Sequence, residues 1–125
     1  MKITVPISLG ELYDKISILE IKLANIPDTK KLANISQEYN ELKEIADGYP
    51  IEDDLYNQLK EINKDLWDIE DGIRVKERNK DWGDDFVKLA RRVYFSNDKR
   101  AEVKKEINLK YGSSIVEEKS YEKYD

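Results

Sequence analysis

The sequence predicts an all-α protein: an antiparallel bundle of four amphipathic helices with an extended C-terminal tail. Three observations carry this. Apolar residues recur at alternating spacings of three and four along four separate stretches, the repeat that lays one stripe along a helix. The breaks between stretches fall at proline, glycine or turn-forming residues. Apolar and charged residues each make up 39% of the 125 residues. That balance suits long helices with narrow buried stripes and leaves too little apolar material for a thick sandwich core. A chain of this length is read as a single helical domain over 1–125 with one core.

Residues 2–7 (KITVPI) lean toward strand but are short and broken by Pro6. Ser8, with Glu11 three residues on, forms the capping box that opens a first helix over 8–26. Its seam is Leu9, Leu12, Ile16, Leu19, Leu23 and Ile26, and Pro27 ends it. Asp28 caps a second helix over 28–47, with Leu32, Ile35, Tyr39, Leu42 and Ala46 as its seam. Gly48 and Pro50 stop it. A third helix over 52–78 carries Leu55, Leu59, Ile62, Leu66, Ile69 and Ile73. The cluster Asn79–Gly83 reads as a loop. A fourth helix over 84–111 starts with two aspartates, well placed for the helix dipole, and ends at Gly112.

The tail from Ser113 has no helical period. Ile115, Val116 and Tyr121 form an apolar set, so residues 113–121 are expected to dock. Pairing of Ile115–Glu117 with Ile3–Val5 is one way to do so. The alternative topology is a pair of long helical hairpins completed by a second chain.

The chain has no cysteine and no histidine. This removes disulfides, thiolate and imidazole metal sites, cysteine nucleophiles and imidazole-dependent triads. No apolar run reaches the roughly 18 residues of a membrane span. The opening MKITVPISLGEL lacks the apolar core of a signal peptide, so a cytoplasmic location is expected. Charge is uneven: residues 37–73 carry twelve acidic and three basic side chains, and residues 74–110 carry twelve basic and seven acidic. The net charge of −5 argues against nucleic acid as a partner, because that binding runs on phosphate neutralisation. The basic third is expected to face the acidic third of its own chain or of a second copy.

Ile18 and Ile21 lie well off the first seam, and Trp67 lies about 120° off the third. A helix apolar on two sides is buried on two sides. Two explanations stand: a second identical chain covers these residues, or the ends of the chain do.

The fourth seam, which begins with Phe86, Ala90 and Val93 and closes with Ile107 and Tyr111, has the opposite fault, since Asn97, Arg100 and Lys104 interrupt it. A turn near residues 81–82 folds this helix back along the third and sets Arg100 near Asn63 and Asn97 near Leu66. Asn63, Glu70, Asn97, Arg100 and Lys104 can then gather in one layer. Arg100 cannot shed its charge, so it must find an anion. Glu70 is the leading partner, with Glu77 and Glu20 behind it. The layer is either an internal network that fixes register or a site for a small phosphate- or carboxylate-bearing ligand, such as a nucleotide or sugar phosphate. A third option is that Ser96 or Asn97 caps a new helix. The carboxylate pairs Glu41/Glu44 and Asp68/Asp71 have a loose Mg²⁺-binding spacing, but Asp68 and Asp71 point away from the third seam. No metal or cofactor is assigned. Ser8 with Lys15, or Ser120 beside Lys119, has nothing to organise nucleophilic chemistry.

VPISLGELYDKISILEIKL at 5–23 resembles the opening of a family of short, all-helical bacterial and phage proteins catalogued only as a domain of unknown function. The likeness continues in LWDIEDGIRVKER at 66–78, FVKLARRVYFSNDKRAEVKKEIN at 86–108 and GSSIVEEKSY at 112–121. It implies no activity and transfers no catalytic role. Two functions follow as expectations: a non-enzymatic homodimeric interaction module, or a small enzyme or binding protein for an anionic ligand at Asn97 and Arg100.

Overall fold

The computed structural model describes residues 1–124 and contains four helices in them. These are α1 (Leu9–Asn25), α2 (Thr29–Ala46), α3 (Asp53–Arg78) and α4 (Asp84–Lys110). Each matches its expected span to within a cap residue. Ser8 Oγ accepts the Glu11 N–H at 3.1 Å, and the Asp28 carboxylate accepts the Lys31 N–H at 3.0 Å. α4 runs unbroken through Ser96–Asp98.

Both long helices end in a left-handed residue, Lys80 at φ 53° and Gly112 at φ 66°. Beyond each, an N–H closes back on the last turn: Asp81 to the Lys76 carbonyl at 2.9 Å and Ser113 to the Asn108 carbonyl at 2.8 Å. This pairing satisfies orphan carbonyls and turns the chain sharply.

α3 and α4 form an antiparallel hairpin. Glu52 reaches Lys110, Asn63 reaches Arg100, Gly72 meets Leu89 and Lys76 reaches Asp85. α1 is the hub, packing on α2, α3 and α4. The core lies where the start of α1, the end of α2, the start of α3 and the end of α4 converge. Leu12, Tyr13, Ile16, Ala46, Leu55, Leu59, Val103 and Ile107 fill it. The Tyr13 hydroxyl ties the turn after α2 to this core by donating to the carbonyls of Ala46 and Tyr49 at 3.1 and 2.8 Å.

Three expectations change. Ile21 is buried within the single chain, while Ile18 and Trp67 are half-buried. Three helices of its own chain surround α1, and this is what covers Ile21. No strand forms between Ile3–Val5 and Ile115–Glu117; residues 1–7 are exposed and irregular. The tail contacts α4 through polar side chains and Tyr124 rather than through its apolar set, and Ile115 and Tyr121 remain exposed. Asp125, the last residue of the expected tail, lies outside the described residues. Among the described residues no helix is long and apolar enough to cross a membrane.

Candidate functional site

A polar layer crosses α1, α3 and α4 beside the core. At its centre, the Asn63 amide nitrogen donates to Asp14 Oδ1 at 2.7 Å and to Ser17 Oγ at 2.8 Å. Its oxygen accepts from Arg100 Nη1 at 3.0 Å, and Arg100 Nη2 donates to Asn97 Oδ1 at 2.9 Å. Lys104 is buried on the same side of α4. Its ammonium lies 2.6 Å from Glu11, 3.5 Å from Asp14 and 3.6 Å from Glu117. Asn63, Asn97, Arg100 and Lys104 therefore gather as their helical register requires.

Glu70 does not join them. It pairs with Arg74 one turn along its own helix and stays partly exposed. Glu77 instead accepts from the Trp82 indole at 2.7 Å. Among the described residues Arg100 thus meets no carboxylate directly; the Asn63 amide links it to Asp14. The reason is geometric: Asn63 stands between α4 and α1, and its amide accepts on one side while donating on the other.

Asp14, Ser17 and Glu11 are the members the sequence reading missed. A signal was present. Gly10, Asp14, Ser17 and Ile21 recur at spacings of four, three and four, a second stripe on α1 that a count of apolar residues passes over. All four are buried. Glu11 was recognised only as a capping residue, yet its carboxylate reaches Lys104 on α4.

Burial acts to lower the Lys104 pKa. The hydrogen bond it donates to Glu11, with the charges of Asp14, Glu11 and Glu117, outweighs this and holds it above 10.5. The side chain is a fixed cation and a poor nucleophile at neutral pH.

Gly10 is where α1 and α4 come closest. Its N–H donates to Asn108 Oδ1 at 2.6 Å, and a Cβ there would lie 2.6 Å from the Lys104 carbonyl oxygen. The Asn108 amide nitrogen is buried without a partner among the described residues. Nearby, Ser113 Oγ accepts the Leu9 N–H at 3.2 Å, joining the tail to the start of α1.

A second cluster lies further along α1. Glu20 accepts from Lys60 at 2.8 Å, Tyr56 at 2.5 Å and Tyr39 at 3.4 Å, which links α1, α2 and α3. Burial raises the Glu20 pKa, but the bonds from Lys60, Tyr56 and Tyr39 outweigh it and bring it below the ordinary 4.5. Burial, then the bond to Glu20, raises the Tyr56 hydroxyl. A depressed carboxylate stabilises the fold above its ordinary pKa and loses that contribution as pH falls through its folded value. Glu20→Gln should therefore flatten the acid limb of a stability-versus-pH curve below about 4.5. Parallel acid limbs for the two proteins, measured by urea unfolding, would refute this.

Arg100 and Asn97 also line an open groove of about 910 Å³ between α4 and the tail, with Tyr94, Asp98, Lys119 and Tyr124 on its walls. The Tyr124 hydroxyl donates to Asp98 at 2.5 Å, and its ring lies 5.1 Å from Tyr94 and 5.2 Å from Phe95. The groove's charged walls are balanced: Arg100, Lys119 and Lys123 face Asp98, Glu102 and Glu122.

Glu41 is exposed and lies 3.6 Å from Lys2, and Asp68 and Asp71 are exposed on α3. Among the described residues no three carboxylates are grouped so as to hold a metal ion.

No curated protein and no solved structure matches the chain. The model of a family of unknown function, DUF6165, matches residues 1–124, and the chain belongs to that family.

Proposed function

We propose that this protein is a non-enzymatic helical interaction module of the cytoplasm that works as a homodimer, and that its polar layer sets the register of its own helices. What carries the reading is that the layer closes on itself. The Lys104 ammonium has three carboxylates of its own chain within 4 Å. Both amide hydrogens of Asn63 and its oxygen are engaged. A polar group in a helical core that is satisfied only in one alignment selects that alignment over slipped ones.

A second reading has its own support. Among the described residues Arg100 has only the amide oxygens of Asn63 and Asn97 as hydrogen-bond partners, and it lines the open groove. A guanidinium so placed suits a phosphate or carboxylate. Thermal melting with inorganic phosphate, pyrophosphate, nucleotides, sugar phosphates and divalent metals separates the two. A ligand at 100 times its Kd adds about 2.7 kcal/mol to stability. The register reading expects no saturable shift from any of them. It also expects Arg100→Met to cost only about 1 kcal/mol, since the bonds lost are to neutral amide oxygens. A saturable shift that Arg100→Met abolishes would replace it with the ligand reading.

A further inference from the structure

The outer half of the α3–α4 hairpin is the part of the molecule that its own chain covers least. At about 1.5 Å per residue, the 26 and 27 residues of α3 and α4 far outrun the 17 of α1. The hydrogen bonds and ion pairs of α1 reach α3 at Tyr56, Lys60 and Asn63, and α4 at Lys104 and Asn108. From Glu70 to Glu102 no residue is fully buried, and the apolar residues Ile73, Phe86, Leu89 and Val93 are only partly covered. Val75, Val87, Tyr94 and Phe95 are 39–50% exposed along the same stretch. Two helices alone cannot close a seam on all sides.

The charges on this surface say what covers it. Residues 61–73 of α3 carry five acidic side chains and one basic, and residues 86–100 of α4 carry five basic and one acidic. These are runs of −4 and +4 on neighbouring helices. Yet among the described residues no ion pair joins the two runs; Glu70 pairs within α3, and Lys76 with Asp81 and Asp85 at the tip. The acids Asp65, Asp68 and Asp71 and the bases Lys88, Arg92 and Lys99 are exposed, with no ion-pair partner among the described residues. An apolar strip flanked by equal and opposite charge runs is complementary to itself.

We propose that a second copy of this chain docks on the outer half of the hairpin about a two-fold axis parallel to it, with α3 of each copy lying on α4 of the other. The register supports this pairing. Gly72 sits level with Leu89 and Lys76 with Asp85, so Asp71 is level with Ala90, next to Arg91, and Val75 with Phe86, next to Val87. Rotation about an axis parallel to the helices keeps those heights. The acidic run of each copy therefore meets the basic run of the other, and Val75 of each meets the Phe86–Val87 step of the other. The symmetry makes both contacts at once and closes the assembly at two chains. This rests on the homodimer reading above and adds the surface and the geometry.

The test is a charge exchange on the full-length protein, read by light scattering, with circular dichroism to confirm helix content. Wild type should show twice the chain mass. The double variant Asp68→Lys with Asp71→Lys should be monomeric, as should Lys88→Glu with Arg91→Glu. Mixing the two variants should restore the doubled mass, because each α3 then faces an α4 of opposite charge. Recovery on mixing also reports that both variants fold. If wild type dimerises and both variants dimerise equally well alone, this surface is wrong while the homodimer reading stands. If wild type is a monomer throughout a hundredfold range of concentration, both fail.

Discussion

Lys104→Met should destabilise the protein by about 3–5 kcal/mol, the usual cost of leaving one partner of a buried ion pair behind. The Lys104 side chain is 8% exposed and that of Asp14 7%. With the ammonium gone, Asp14 keeps one amide hydrogen from Asn63 and loses the one cation that lies within 4 Å of it among the described residues. Glu11 loses its partner as well but is 32% exposed and can turn to water. The cost therefore falls on Asp14. Lys104→Met combined with Asp14→Asn should recover most of the loss, because the stranded charge goes with the cation. Urea unfolding of both variants measures this. A single-variant loss below about 1 kcal/mol, the scale of a surface pair, would mean that water reaches the layer. The pH dependence has a definite sign. The folded pKa of Lys104 is raised above 10.5, so its contribution is complete below that value and fades as pH rises through the higher folded one.

Gly10→Ala should cost about 2–4 kcal/mol, against the usual helix preference for alanine. In an exposed helix interior the change would gain about 1 kcal/mol. Here the added methyl would lie 2.6 Å from the Lys104 carbonyl oxygen and 3.0 Å from Asn108 Oδ1. The carbonyl belongs to the backbone of α4 and cannot turn aside, so α1 and α4 must separate. Overpacking of this kind costs about 1–3 kcal/mol. Separation also stretches the hydrogen bond from Gly10 to Asn108, and a buried polar group left without its partner costs about 1–3 kcal/mol more. Asn108 already has an unpartnered amide nitrogen, so it has no second bond to fall back on. A Tm equal to or above wild type would show that the crossing is looser than described. Gly48→Ala is the control: a Cβ there meets only a carbonyl at 3.4 Å, and its effect should be small.

Both variants act where helices meet, which is where reading the sequence stopped working. Within one helix, side chains three and four apart share a face by covalent geometry. Seam spacing, Ser8, Asp28, Pro27 and the glycines were therefore enough to set the four spans. One short turn between two helices extends that reach. It leaves a single way to fold α4 back on α3, and the position of Arg100 beside Asn63 follows. Glu70 fails for a related reason. It lies two turns along α3 from Asn63, the residue level with Arg100, and Arg74 is one turn away on its own helix and is the nearer partner.

α1 is separated from α4 by two helices, and local geometry does not fix which of its faces turns toward which neighbour. That choice belongs to the packing of all four helices. It put three of them around α1 and so buried Ile21, and it set Gly10 against the backbone of α4. It also drew Glu11 away from its own helix end toward Lys104. The sequence by itself determined the helices, their ends and the α3–α4 register, because those depend on contacts close along the chain. Only the tertiary structure decided that Asp14 is the counter-charge of the polar layer and that the uncovered surface lies on the outer hairpin. Both depend on where α1 comes to rest, and that is settled by burial summed over the whole bundle.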